Sequence, residues 1–191
     1  MSTSPIDLLQ TRRSIKFVQA PGPSDEELAQ ILQCAMSAPD HGRLRPWRFK
    51  LIRGEALAKL ADMAIEAIRV AGRPLTPEKE ASTRRWLANV PVLIAVACHM
   101  DYTNTIIPED ERMLATGAAV MNMLNAAHLL GYSAYWSTGL GTYVDAVNEA
   151  LGFDPLEYRF MGYVSMGTPL RSPGAPERPD HREFVQEWAG A

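Results

Sequence analysis

Apolar residues recur at helical spacing at Leu28, Ile31, Leu32, Ala35 and Met36, which predicts an amphipathic helix. Ser24 with Glu27 three residues on is a capping-box signature, so this helix runs to about Ser37. A shorter helix precedes it: Ser4 caps, Pro5 suits the first helical position, and Asp7 faces the positive end of the helix dipole. Ile6, Leu8 and Leu9 form its apolar side, and it ends at Thr11-Arg12-Arg13-Ser14, ahead of the turn Ala20-Pro21-Gly22-Pro23. After Ser37 the period drops to two. Trp47, Phe49 and Leu51 alternate with Arg48 and Lys50, as in a half-buried strand. Gly54 to Ala71 returns to helical spacing through Leu57, Leu60, Ala61, Ala64, Ile65 and Ile68, and Gly72-Arg73-Pro74 breaks it. Thr76-Pro77-Glu78 opens a strongly charged helix through Arg85, either a solvent-facing helix or a mobile, lid-like segment over residues 74–90.

Pro91 to Cys98 is a continuous apolar run, which predicts a strand covered on both faces. Glu109-Asp110-Glu111 then opens a long helix to Leu130 that is apolar almost all round, the pattern of a helix buried in the middle of the molecule or in a subunit interface. Asn122, Asn125 and His128 fall on one side of it and need partners, which makes His128 an interior polar residue rather than a ligand. Tyr132 to Ser137 is a strand that leads through Thr138-Gly139-Leu140-Gly141-Thr142 into a helix ending at Leu151. That geometry points backbone amides at an anion or a ring edge. It is not the dinucleotide fingerprint, because Val144 stands where the third glycine belongs. Tyr158 to Met166 is the last strand, ended by Gly167-Thr168-Pro169. Residues 169–191 read as an extended arm, rich in Pro, Gly and Ser over Arg171 to Pro179, with a short terminal helix over Asp180 to Trp188 free to dock elsewhere, a partner subunit included. The expectation is one domain over residues 1–191, helices first and then four strands separated by helices, with no repeat and no linker.

A length of 191 residues suffices for one well-buried core. Apolar (47%) and charged (21%) contents are ordinary, and a net charge of -3 gives no global attraction to nucleic acid or anionic membrane, so a basic site must be local. Cys34 and Cys98 show no CxxC spacing and read as reduced intracellular thiols. No basic n-region with an apolar h-region is visible, and Met113 to Leu130 is too polar to span a membrane, so a cytoplasmic location is expected.

One stretch has the wrong composition for a connector. Between Met36 and Phe49 lie Pro39, Asp40, His41, Gly42, Arg43, Leu44, Arg45, Pro46, Trp47 and Arg48. The two prolines limit helix on both sides, leaving a stiff loop that carries cations to the mouth of a strand. It is either a surface loop with solvated arginines or a site for something anionic and flat. Arg12-Arg13, taken alone, reads as favourable charge at a helix C-terminus. Other chemistry is sparse: there is no GxxxxGK[ST], HExxH or GxSxG motif, and no nucleophile stands beside an obvious base. A metal-dependent hydrolase would be built on Asp40, His41, His99 and Asp101, and no metal is expected. Scattered cationic clusters and a glycine turn instead suit a large anionic cofactor that brings its own reactivity.

Arg12-Arg13-Ser14 after a first helix, then Ala38-Pro39-Asp40-His41 and Arg45-Pro46-Trp47-Arg48-Phe49, resemble the FMN-dependent nitroreductase family, in its compact bacterial branch. Gly131-Tyr132 leading to Trp136, and Gly162 through Gly167-Thr168-Pro169, agree, so the resemblance spans nearly the whole chain. It implies an α+β fold with a central, mostly antiparallel sheet flanked by helices, a long buried central helix, and a homodimer with FMN at its interface. It makes Arg12, Arg13 and Ser14 phosphate ligands, brings Arg171 to the phosphate, and sets Lys16 at the pyrimidine edge of the flavin. The loop would come from the other subunit, with Pro39 and His41 against the flavin. Trp136, Ser137 and Thr138 would lie along the ring, with a backbone amide near Thr138-Gly139 beside flavin N5. Ala126, Ala127, His128, Leu129, Leu130 and Gly131 match a stretch linked to the nicotinamide nucleotide. Ser37 and Ser137 stand where the branch can carry arginine, which removes two cationic contacts from this chain. The implied activity is ping-pong hydride transfer from NADH or NADPH to nitroaromatic, quinone or similar electron-poor acceptors. The alternative is a non-catalytic FMN-storing or FMN-sensing protein.

Overall fold

A computed structural model describes residues 4–171, 174 and 176–190. The helices are α1 (Pro5–Thr11), α2 (Asp25–Ala35), α3 (Glu55–Val70), α4 (Pro77–Asn89), α5 (Glu109–Leu129) and α6 (Asp145–Ala150). The strands are β1 (Val18–Gln19), β2 (Trp47–Ile52), β3 (Val92–His99), β4 (Ser133–Ser137) and β5 (Tyr158–Pro169). They form one sheet in the order β1-β5-β3-β2, with β4 also on β5, and every strand pair is antiparallel.

β3 is the spine of the sheet. Successive side chains of a strand point to opposite faces, and here each face has its own core. Val92, Ile94 and Val96 pack with Leu28, Ile31, Met123 and Val164 under α2 and α5. Leu93, Ala95 and Ala97 pack with Leu57, Leu60, Leu87, Phe160 and Tyr163 under α3 and α4. That double cover is why Pro91 to Cys98 carries no polar alternation.

The capping box at Ser24 forms as the sequence predicts, and Ser4 closes a second one with Asp7. Ser24 Oγ accepts from the Glu27 amide at 3.2 Å, and Glu27 Oε2 accepts from the Ser24 amide at 2.9 Å. Tyr132 Oη donates to the same carboxylate at 2.7 Å, so Glu27 sits below its ordinary pKa, first through the Ser24 amide and then through Tyr132. Thr76 caps α4 with Pro77 behind it, and the helix continues to Asn89.

Two expectations change. β5 does not stop at Met166, because Thr168 and Pro169 pair with Gln19 and Val18, a short strand too brief to show periodicity. The helix expected over Asp180 to Trp188 is only a 3-10 turn at His181–Glu183, since Phe184, Val185 and Trp188 find nothing to bury against and remain exposed. α5 is buried along one side through Ala115, Ala119, Val120, Met123 and Leu124, while Leu114, Met121 and Leu129 stay 71%, 43% and 48% exposed. Among the described residues no helix is long and apolar enough to cross a membrane.

Candidate functional site

α1 ends where Arg12 leaves helical geometry (φ -53°, ψ 136°), and the chain then runs extended beside β4. Ser14 bridges to Ala134, and the Ile15 amide donates to Ala134 O at 3.1 Å. This contact joins the Arg12-Arg13-Ser14 cluster to the strand that carries Trp136 and Ser137. The C-terminal arm returns to the same place: Arg13 Nη1 donates to Gly174 O at 2.6 Å, and Arg178 Nη2 donates to Arg12 O at 2.5 Å. Between arm, α1 and α5 lies a cleft of ≈ 820 Å³, with Leu9, Arg12, Met121 and Arg178 in its wall. Burial, and then the charge of Arg178, lower the pKa of the half-buried Arg12 guanidinium. Among the described residues no carboxylate stands within ion-pair distance of Arg12, Arg13 or Arg178. Asp180 also lines this cleft, but its carboxylate is paired with Arg182, so Arg12 and Arg178 face the cleft without an ion-pair partner, and a cationic wall of that kind fits an anionic cofactor.

The residues expected beside the flavin ring lie along the end of β4. Trp136 Nε1 donates to Met161 O at 2.8 Å, which fixes the indole. The Gly139 amide donates to Ser137 Oγ at 3.1 Å, so of the two amides expected near flavin N5 that of Gly139 already has a partner. Thr138 and Gly139 are both exposed. Lys16 Nζ lies 5.6 Å from the Phe17 ring and 5.4 Å from that of Trp86, whose Nε1 donates to Lys16 O at 3.0 Å. α4 therefore packs as the seat of Lys16 through Trp86.

The loop after α2 sits at the other end of α5. Its 3-10 turn, His41–Arg43, rests on α5 through His41 Nδ1 and Glu111 Oε2, 2.6 Å apart. The turn is pressed on Ile107: a Cβ on Gly42 would come within 2.5 Å of Ile107 Cδ1. Ile107 in turn belongs to a segment without regular structure that Arg112 holds. Arg112 is 2% exposed and donates to the carbonyls of Met100, Asn104 (2.7 Å) and Ile107 (3.0 Å). The Arg12 cluster meets α5 near Met121 and His128, whereas the loop meets it at Glu111. At 1.5 Å of rise per residue those places are about 15–25 Å apart along the helix. Within one protomer the His41–Arg43 turn and the arginine cluster stay apart, although the start of the loop reaches Asn122 through Ser37.

A family model described as Nitroreductase family matches residues 9–168. The chain belongs to the nitroreductase family. It is 34% identical over 163 residues to the "Putative NAD(P)H nitroreductase" of Haemophilus influenzae, a match covering 85% of this chain and 87% of that protein. Among solved structures, the nitroreductase-like family protein of Bacillus cereus superposes with a TM-score of 0.82 at 26% identity, covering 100% of this chain and 98% of that one. A "putative nitroreductase in complex with fmn" from Desulfovibrio desulfuricans superposes at 0.74 and 25% identity, covering 100% of both chains. The fold is nitroreductase-like, and the α+β, antiparallel expectation holds.

For a nitroreductase-family chain, the remaining site expectations fall as follows. Ser37 Oγ donates to Cys34 O at 2.7 Å and accepts from Asn122 Nδ2 at 3.3 Å, so it closes α2 onto α5. His128 Nε2 pairs with Thr11 Oγ1 at 3.2 Å, so it has a partner, but at a partly exposed position and not in the interior expected of it. In the stretch expected to meet the nicotinamide nucleotide, Ala126 and Ala127 are 8% and 0% exposed and pack in the core, His128 is half-buried, and Leu129, Leu130 and Gly131 are open to solvent. Arg171 is exposed on the turn after β5, and it is Arg178 that reaches Arg12. Nothing in the sequence marks Arg178 or Arg112: one stands in an extended arm whose return path is tertiary, the other among ordinary helix-opening charges. Asp40, His41, His99 and Asp101 do not converge. Asp40 accepts from the Arg45 amide, Asp101 from Thr103, His41 meets Glu111 and His99 lies against Tyr158. Among the described residues no three His, Cys, Asp or Glu side chains gather as metal ligands.

Proposed function

We propose that this protein is a homodimeric, FMN-dependent oxidoreductase that uses NADH or NADPH to reduce nitroaromatic, quinone or similar electron-poor acceptors in a ping-pong cycle. The observation that carries the proposal is the uncompensated Arg12, Arg13 and Arg178 group joined by the Ser14–Ala134 bridge to the Trp136–Thr138 strand end. In that arrangement Arg12, Arg13, Ser14 and Arg178 hold the flavin phosphate. Trp136 and Ser137 flank the ring, and the Thr138 amide is the N5 neighbour because that of Gly139 is engaged. Lys16 contributes a positive charge that Phe17 and Trp86 orient. Bound FMN supplies the hydride-accepting and hydride-donating chemistry, and the protein contributes orientation and electrostatics.

The separation of the His41–Arg43 turn from the arginine cluster supports a site completed by Pro39 and His41 of a second copy. So do the apolar residues left uncovered: Leu114, Met121 and Leu129 on α5, and Phe184, Val185 and Trp188, the last 86% exposed, on the arm. The protein as purified should show flavin absorption bands, and NADH or NADPH added without oxygen should bleach them. If neither nucleotide does so, the oxidoreductase reading is wrong. Light scattering should give twice the mass of the chain.

His41 offers a sharper test. Its contact with Glu111 joins side chains 64% and 42% exposed, and such a surface contact contributes at most about 1 kcal/mol. His41→Ala should therefore barely move the thermal midpoint while weakening FMN retention through dialysis. A His41→Ala protein that stays fully yellow and fully active would remove this loop from the flavin site.

A further inference from the structure

The loop between α2 and β2 holds more positive charge than a contact with the flavin ring explains. Arg43 and Arg45 line a cavity of ≈ 480 Å³ together with Met36, Ala38, Asp40 and Trp47. Both arginines adopt left-handed backbone, with φ of 55° and 48°. Glycine or asparagine holds that conformation at less cost than arginine. The strain is imposed from both sides of Arg45: its amide donates to Asp40 Oδ2 at 2.7 Å, and its carbonyl accepts from Arg48 Nη1 at 2.8 Å. Asp40, the acid in the cavity wall, thus uses Oδ2 to set the backbone. Among the described residues no carboxylate stands within ion-pair distance of Arg43, Arg45 or Arg48. The floor is Trp47, 7% exposed. Strained residues held by a surrounding network cluster where a ligand uses them, and guanidinium groups without counter-charge recognise oxyanions.

We propose that this cavity is an oxyanion subsite in which Arg43 and Arg45 hold a phosphate or carboxylate of the molecule that reacts at the flavin. The proposal rests on the function proposed above, since Arg43 and Arg45 follow the flavin-facing His41 by two and four residues. Two sources carry such a group: the phosphates of the nicotinamide nucleotide, and a carboxylate on an aromatic acceptor.

Calorimetric titration of the purified, flavin-loaded protein with ADP and, separately, with benzoate tests the subsite without turnover. The comparison is with Arg43→Asn/Arg45→Asn, which removes both charges while suiting left-handed backbone, and with each single substitution. The wild type should bind at least one probe, and the double variant should bind it about tenfold or more weakly with an unchanged or higher thermal midpoint. Arg45→Lys should recover part of the affinity. The probe that loses affinity identifies the source. The subsite is refuted if the wild type binds neither probe, or if the asparagine variants bind both as tightly as the wild type. A wild type that binds ADP through these arginines yet is never bleached by NADH or NADPH overturns the oxidoreductase reading and leaves the subsite standing.

Discussion

Arg112→Ala should cost the protein about 3 kcal/mol or more of folding stability, the largest loss expected from any single charged residue. A buried guanidinium ordinarily needs a carboxylate, and among the described residues none stands within ion-pair distance of Arg112: Asp101 is near enough to feel its charge, but the guanidinium's hydrogen bonds go to the backbone carbonyls of Met100, Asn104 and Ile107. Those carbonyls belong to a segment that forms no sheet or helix between β3 and α5. Removing the side chain leaves them without a donor, at about 1–3 kcal/mol for each one that water does not reach, and opens a void as well. For a domain of this size each kcal/mol lowers the thermal midpoint by about 2–4 °C, so a fall of roughly 6–12 °C is expected. The consequence extends beyond stability. Ile107 is pressed against Gly42, so release of this segment unseats the His41–Arg43 turn and FMN should be lost along with rigidity. Urea unfolding followed by tryptophan fluorescence, with flavin content measured on the same samples, checks both effects. An unchanged midpoint would show that Arg112 is replaceable by solvent.

The contrast between Arg112 and β3 shows what could be read from the sequence and what could not. β3 announces itself because burial on both faces leaves only apolar residues from Val92 to Cys98. The helices α2 and α3 are equally legible, since period and caps agree. Arg12, Arg13 and Ser14 follow one another in the chain, so a resemblance finds them as a unit. Arg178 and Arg112 act at a distance, on Arg12 and on carbonyls as many as 12 residues upstream, and neither leaves a local pattern. β1 is two residues long, shorter than any period can register. The exposed side of α5 was legible only as an alternative: an apolar helix is the same string whether the molecule's own core or a second copy covers it.

Gly162→Ala is the backbone counterpart of Arg112→Ala and acts on the strand that carries the proposed ring-side residues. The β3–β5 ladder slips between Val96↔Gly162 and Ala97↔Phe160, which leaves Met161 as an extra residue. That bulge turns the Met161 carbonyl to the Trp136 indole. Gly162 takes up the bend with φ +98°, and a Cβ there would lie 2.2 Å from Ser137 O. The obstacle is backbone, so no rotamer change relieves it. Either β4 moves away from β5 or Gly162 changes conformation and the bulge is lost. The left-handed strain and the displaced ladder together should cost about 3 kcal/mol. Trp136, Ser137 and Thr138 move with β4, so flavin retention should fall more steeply than the midpoint alone implies. A Gly162→Ala protein that unfolds with the wild-type midpoint and keeps its FMN through dialysis would mean that β4 yields without cost. The Trp136–Thr138 segment could not then be a fixed wall of the flavin site.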